Sequence, residues 1–116
     1  MQEAPCRLLG ELRYPDEYSY ERVAAIESEA GPTLEEALAG LDVGHLEIAP
    51  GPDSLRFEAW CAFCEDDEAS GICEALLPFV ADGPLGRLVV LREADAPIAI
   101  FYFSGETIDE VTVEQP

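Results

Sequence analysis

The stretch from Ser54 to Asp82 constrains the fold most, because its periodicity changes from that of a strand to that of a helix across a short acidic turn. In the first part, apolar residues alternate with a second set of residues that includes charged side chains and the only Trp. This alternation is typical of a strand with one face in the core. The inward set is Leu55, Phe57, Ala59, Cys61 and Phe63. Helical spacing follows at Ile72, Ala75, Leu76, Phe79 and Val80. We expect the other segments to pack around this strand and helix.

The acidic turn between them predicts a helix start. A short carboxylate accepts a hydrogen bond from the free amides of the first turn, so Asp66 or Asp67 is the expected cap. Proline removes a hydrogen bond inside a helix, so Pro78 is expected to bend the helix or to end it near Leu77.

The N-terminal half predicts one strand and two helices. Alternation indicates a strand over 6–14 with Arg7, Leu9, Glu11 and Arg13 on one side. Ser19 is the expected cap of a helix that runs to Ala30 and is broken by Gly31-Pro32. The motif Thr33-Leu34-Glu35-Glu36 matches a capping box and predicts a second, short helix to about Leu41.

The remaining segments read as strands. A short strand over 45–49, followed by the turn residues 50–53, should form a hairpin with the central strand. Strands over 87–92, 97–103 and 107–114 should form an antiparallel meander. Both faces of 97–103 are apolar, which predicts a cover on each side, either a helix or a second copy of the chain.

These elements predict a single domain over residues 1–116 with an α+β fold. It is a mostly antiparallel sheet with two main helices plus one short helix, in the order β-α-α-β-β-α-β-β-β. No internal repeat or linker divides it, and its length suffices for one hydrophobic core.

Charge narrows the classes of partner. Twenty-five Asp and Glu oppose six Arg and no Lys, which gives a net charge of −19. Binding of nucleic acid phosphates needs cations, so direct contact with nucleic acid is disfavoured and a basic protein partner is favoured. The alternative explanation for the charge is an acid-biased or high-salt proteome, in which it serves solubility alone.

One group of residues has the spacing of a metal-binding site. Cys61-x-x-Cys64 has zinc-ligand spacing, Cys73 follows, and Cys6 or His45 could complete four ligands. Against zinc, there is no second Cys-x-x-Cys pair, strand alternation separates Cys61 from Cys64, and buried cysteines behave as small apolar residues.

Other catalytic patterns are absent or incomplete. Asp66-x-Glu68-x-Ser70-Gly71 imitates a calcium loop, but Leu77 occupies the position that needs a bidentate Glu. His45 is the only histidine and has no sequence-marked nucleophile. No phosphate-binding Gly-rich loop is present, so we expect no catalytic residues and no cofactor.

An acidic surface with one aromatic residue is the remaining candidate site. Trp is enriched at binding hot spots and opposite charge steers encounter, whereas the alternative is a Trp60 packed under a helix among solvated acids. The expected partner-binding residues are Glu58, Trp60, Glu65, Asp66, Asp67, Glu68, Asp109, Glu110 and Glu114.

The sequence therefore favours a small acidic non-enzymatic binding protein. We expect an inhibitor of the immunity or phage anti-defence (anti-CRISPR) type, with or without nucleic-acid mimicry, that occupies a basic surface of a toxin or another nucleic-acid-handling protein. The alternatives are an assembly or adaptor domain, dimeric through strands 87–103, and a zinc-binding domain. The start of the chain lacks signal-peptide features and no membrane helix is evident, so cytoplasmic localisation is expected.

Overall fold

The structure, a computed structural model, describes residues 6–15, 17–41, 43–51, 53–62, 64–80, 85–92 and 97–114. The strands are β1 (Cys6–Arg13), β2 (Val43–Pro50), β3 (Ser54–Cys61), β4 (Leu85–Leu91), β5 (Ile98–Ser104) and β6 (Thr107–Val113). The helices are α1 (Tyr20–Leu38) and α2 (Asp66–Leu76), and each is followed by a single 3-10 turn, Ala39–Leu41 and Leu77–Phe79. The α+β class is confirmed. Three residues of the predicted elements lie outside the described residues: Phe63 of the central strand, Asp82 at the end of the helical stretch and Pro52 of the turn.

All described strands belong to one antiparallel sheet in the order β2-β3-β1-β4-β5-β6. The predicted hairpin is the β2–β3 pair, and the predicted meander is β4–β5–β6. The first four strands and the two helices form two interleaved split β-α-β units, the arrangement called ferredoxin-like. Strands β5 and β6 extend the sheet beyond β4.

The core lies between one face of this sheet and the two helices. Alternate residues of β1, β3, β4 and β5 are fully buried there, against Ala30, Leu34 and Leu38 of α1 and Ile72 and Leu76 of α2. Two glycines on this face make room for aromatic rings on the neighbouring strand. A Cβ built on Gly10 would lie 2.0 Å from the Phe57 ring, and one on Gly86 would lie 2.2 Å from the Phe103 ring. The core packing therefore requires glycine at both positions.

The predicted break at Gly31-Pro32 is wrong, because α1 runs unbroken from Tyr20 to Leu38 with Pro32 inside it. The Thr33 hydroxyl donates to the Glu29 carbonyl (3.0 Å), as a mid-helix residue does, and so the predicted capping box is absent. Pro32 is exposed, which leaves the freed Ser28 carbonyl, also on an exposed residue, open to water. Burial of Leu34 and Leu38 holds the second half in line. The predicted separate short helix is thus the end of α1 plus the 3-10 turn at Ala39–Leu41.

The predicted N-cap of α1 is confirmed, since the Ser19 hydroxyl accepts from the Arg22 amide at 3.1 Å. The predicted cap of α2 was misplaced by one or two residues. Glu65 is the N-cap, and its amide donates to the Glu68 carboxylate at 2.8 Å. This glutamate pair replaces the predicted Asp66 or Asp67 cap. The helix ends at Leu76, in agreement with the expectation from Pro78, which lies in the 3-10 turn that follows.

Candidate functional site

The sheet has a second face that no helix covers in the described part of the chain. Its side chains point away from α1 and α2, as the alternation of buried and accessible residues along the strands shows. We call it the open face and name the opposite side, formed by α1, α2 and their 3-10 turns, the helical layer. The open face comprises Arg7, Leu9, Glu11, Arg13, His45, Glu47, Ala49, Arg56, Glu58, Trp60, Leu85, Arg87, Val89, Leu91, Ile98, Ile100, Tyr102, Thr107, Asp109, Val111 and Val113.

Arginine–carboxylate pairs occupy the half of the open face formed by β1, β2 and β3, with one arginine from β4. Glu11, at the centre of the sheet, accepts from Arg56 at 3.1 Å and lies 3.7 Å from Arg87. Arg7 donates to Glu58 on the adjacent strand. Cross-strand pairs of opposite charge stabilise a sheet modestly, and here they fix the side-chain directions of the network.

Trp60 is bound into the same network. Its indole Nε1 donates to Glu58 Oε2 at 3.2 Å, the Arg7 guanidinium lies 5.9 Å from its ring centroid, and the His45 ring centroid is 5.1 Å away. The hydrogen bonds from Arg7 and then from Trp60 hold the pKa of Glu58 below its usual value of 4.5. Trp60 as a residue nevertheless stays 43% exposed, so it is held in place and remains accessible to a partner.

The half of the open face formed by β4, β5 and β6 is largely apolar. Most of its side chains are aliphatic or aromatic, and an antiparallel sheet exposed to water on one side normally carries polar residues there. The apolar members are Val89, Leu91, Ile98, Ile100, Tyr102, Val111 and Val113. Both faces of β5 are apolar, as the sequence indicates, and the expected cover on its second face stays a prediction. The helices cover one face, and no described segment covers the other.

The expected partner-binding residues do not form one surface. Glu58, Trp60 and Asp109 lie on the open face. The acidic run Glu65–Glu68 lies at the start of α2, in the helical layer. Glu110 points to the helical side of β6, because it is paired with the inward-facing Phe101, and Glu114 follows the end of β6.

Charge is divided unevenly between the two sides. The helical layer, with the N-cap of α2, carries ten carboxylates, which are opposed by two arginines, Arg22 on α1 and Arg92, which binds Asp66 at the start of α2. Its acids are Glu21, Glu27, Glu29, Glu35, Glu36, Glu65, Asp66, Asp67, Glu68 and Glu74. The open face holds four of the six arginines and four carboxylates, so its formal charge cancels among the described residues. Among the described residues, the excess of negative charge therefore lies outside the open face.

The four cysteines lie in the buried interior of the fold. All four are free and buried, and within the described ranges no group of three metal-ligand side chains is positioned to hold an ion. A hydrogen bond to Cys64 and burial raise the pKa of Cys6 far above its usual range, and burial raises that of Cys73 to about 12. These two thiols are protonated at neutral pH and are poor nucleophiles and ligands.

A shallow depression of about 480 Å³ lies in the open face over Gly10. Its polar side chains are the paired Glu11, Arg56, Arg87 and Glu58, together with Glu47. His45 lies 3.7 Å from Glu47 and its ring is tilted against that of Trp60, with no hydrogen bond to a hydroxyl or thiol in the described part of the chain. The depression thus offers charged contacts, and it lacks a nucleophile–base pair of the usual kind.

Sequence reasoning did not single out the arginine network of Arg7, Glu11, Arg56 and Arg87. Alternation had placed Arg7 and Glu11 on the outward side of their strand, and Arg56 with Glu58 and Trp60 on theirs. The missing information was the strand order, because β1 lies between β3 and β4 and so brings these residues together.

Comparison with models of protein families, with curated proteins and with solved structures finds no match to the chain. None of the described helices is long and apolar enough to cross a bilayer.

Proposed function

We propose that this chain is an acidic, non-enzymatic binding protein whose helical layer occupies a basic surface of a nucleic-acid-handling protein and thereby inhibits it. One observation supports this function above the others: the negative charge is concentrated on the side formed by two rigid helices, whereas the open face is balanced. A surface of this sign focuses attraction on a cationic partner and accelerates their encounter.

Several acids of the helical layer are available for such contacts. Glu29, Glu36 and Asp67 are exposed, and no described cation forms an ion pair with them. Glu29 and Glu36 are seven residues apart on α1 and therefore share one side of that helix. In contrast, Glu65 and Glu68 are engaged with each other at the start of α2, and Asp66 accepts from Arg92 at 2.8 Å.

The inhibitory action follows from competition. Proteins that bind nucleic acid present Lys and Arg to phosphates, and a row of carboxylates on a helix satisfies the same cations. An occupied basic surface is closed to nucleic acid, so inhibition needs no chemistry in the acidic protein. The buried, protonated Cys6 and Cys73 thiols agree with a binding role.

The test is partner capture followed by measurement on the purified pair. The full chain is immobilised, the captured protein is identified and purified, and its affinity is measured by calorimetry at low and high salt. We expect a basic partner, affinity that falls as salt rises, and release of a short duplex DNA or RNA from the partner by the acidic chain. A salt-independent affinity, or a partner that keeps its nucleic acid in the complex, contradicts the proposal.

A matched pair of variants locates the contact. Glu29→Gln with Glu36→Gln removes two charges from α1, and Glu47→Gln with Asp109→Asn removes two from the open face. The α1 pair should weaken binding roughly three- to thirtyfold, since each charged contact across an interface is worth about 0.3–1 kcal/mol when exposed. The open-face pair should have little effect. Equal effects of the two pairs would show that total charge, and not the helical layer, determines binding.

A further inference from the structure

We infer that the open face is an interface between two copies of this chain, which pack sheet against sheet across a two-fold axis. This inference uses a different surface and a different partner from the proposed function, and it stands independently of it. In such a dimer the two helical layers point outward on opposite sides.

The exposed apolar side chains are concentrated on this face. Six large hydrophobic residues of the described chain are strongly exposed, and five of them lie here: Trp60, Leu85, Tyr102, Val111 and Val113. Monomeric proteins seldom leave a continuous apolar area of several hundred Å² open to water. Four of the five lie on β4–β6 with Val89, Leu91, Ile98 and Ile100 beside them and form an apolar area there, whereas Trp60 lies on β3.

Electrostatics select a second copy as the occupant. Two chains of −19 repel each other, and this repulsion is weakest where arginines balance the carboxylates, as they do on the open face. A strongly basic partner would gain nothing from this face, because Arg7, Arg56 and Arg87 already neutralise its carboxylates. A neutral, half-apolar surface suits a copy of itself.

The apolar row across the sheet is self-complementary. Leu9, Val89, Ile100 and Val111 are paired in register on β1, β4, β5 and β6. A two-fold axis that lies in the interface and runs along this row places each of these residues against its equivalent in the other copy. Stacked sheets pack about 10 Å apart, which these aliphatic side chains can fill.

The same axis pairs part of the charged half. Arg7 and Glu11 lie two residues either side of Leu9, so rotation brings Arg7 of one copy opposite Glu11 of the other. On β3, Trp60 and Arg56 lie two residues either side of Glu58, so Trp60 meets the other copy's Arg56, a cation–π pairing. Glu58 and its β2 neighbour Glu47 lie near the axis, so each faces its equivalent in the other copy. Glu58 is neutralised by Arg7 of its own chain, and His45 lies 3.7 Å from Glu47.

The area is sufficient for a stable dimer. Six strands spaced about 4.8 Å apart, each seven or eight residues long at about 3.3 Å per residue, span about 600 Å². Two such faces bury about 1,200 Å², the lower end of specific interfaces. We therefore expect dissociation in the micromolar range and faster exchange than in an obligate dimer.

The first experiment is sedimentation velocity of the full chain from micromolar to submillimolar concentration. Wild type should dimerise, and the Tyr102→Glu variant should raise the dissociation constant at least about tenfold. Tyr20→Glu is the matched control, because Tyr20 is 87% exposed on α1 and Tyr102 45% exposed on the open face. Circular dichroism confirms that each variant is folded. Raising salt should strengthen the dimer by screening the net repulsion, the reverse of the salt effect on a basic partner.

A second experiment tests the position of the axis. The native thiols are buried, so a cysteine placed on the open face can be modified selectively by a thiol-specific cross-linker. The two copies of Val89→Cys lie opposite each other on the axis and should be joined by a short bismaleimide cross-linker, whereas the two copies of Leu91→Cys, each displaced by two residues along β4, lie farther apart and should not be joined. A wild-type monomer at all concentrations overturns the inference and leaves the face to a different protein. A dimer unaffected by Tyr102→Glu, or cross-linked equally or not at all by the two cysteines, overturns it as well.

Discussion

Trp60 is the residue through which the open face can be followed experimentally. It is the only Trp in the chain, and its indole donates to a carboxylate that also binds an arginine of the neighbouring strand. The unit Arg7–Glu58–Trp60 thus links β1 and β3 by side chains as well as by backbone. Tryptophan fluorescence reports on the protonation of Glu58 directly, because the hydrogen-bond partner of the indole changes its charge.

We predict that Trp60 fluorescence titrates with a midpoint below pH 4.5. Arg7 and Trp60 favour the charged form of Glu58, so its folded-state pKa is lowered. A lowered folded pKa means that the contribution of Glu58 to stability is complete above its ordinary value of 4.5, and that it disappears as the pH falls through the folded pKa. The measurement is emission intensity and wavelength against pH in dilute solution.

Two arginine variants make this titration specific. Arg7→Gln removes the main cause of the shift and should move the midpoint upward, towards 4.5. Arg13→Gln, at the other end of the same strand and on the same face, should leave it unchanged. A titration midpoint that is unchanged in the Arg7→Gln variant would mean that the fluorescence follows a titratable group other than Glu58.

At the scale of elements, periodicity predicted the strands well and failed at the longest helix. The inward-facing and outward-facing residues of β1, β3 and β5 follow from alternation, since successive side chains on a strand point to opposite faces of the sheet. Gly31-Pro32 is a strong local signal for a break, but Leu34 and Leu38 bury almost completely when α1 continues. A proline in a helix interior costs about 3 kcal/mol, and tertiary packing outweighed this local cost. The local sequence pattern alone cannot show whether the cost of the proline or the gain from burial is larger.

The continuity of α1 gives a stability prediction for Pro32. Pro32→Ala restores an amide that can donate to the Ser28 carbonyl and removes the ring from the preceding turn. We expect stabilisation of about 1–2 kcal/mol, less than the full cost of a helix proline because the unfolded chain becomes more flexible. The measurement is urea denaturation at fixed protein concentration.

Gly31→Ala is the companion control for this prediction. Its new methyl group would lie 3.7 Å from Ile48, an ordinary contact, so it should add about 0.5–1 kcal/mol. A lower urea midpoint for Pro32→Ala would show that the proline fits the helix without cost.

At the scale of the whole molecule, the two sides of the sheet differ in a way that the sequence shows only in part. The total charge and the outward position of Arg7, Glu11 and Arg56 can be read from composition and alternation. The separation of a neutral face from an acidic layer depends on the order β2-β3-β1-β4-β5-β6, which is set by long-range pairing. The expected site residues were therefore spread over both sides, since their positions along the chain do not specify where the strands meet.

The charge separation also determines where salt stabilises the protein. Glu35 and Glu74 lie in the last turns of α1 and α2, which carry no basic residue and where the helix dipole disfavours a negative charge. We predict that Glu35→Gln with Glu74→Gln stabilises the fold by about 0.3–1 kcal/mol per substitution at low salt. Wild-type stability should rise with salt, and this variant should show a smaller rise, because it has less repulsion to screen. Urea denaturation across a salt series measures both effects.

The matched control for this salt series is Glu47→Gln with Asp109→Asn. It changes the net charge equally, but on the face where arginines balance the carboxylates. Its stability should depend on salt nearly as the wild type does, since neighbouring arginines already offset the repulsion that salt would screen. If the two double variants show the same salt dependence, the molecule responds to its total charge. A difference between them would demonstrate in solution that the repulsion is concentrated in the helical layer, the side proposed to bind a basic partner.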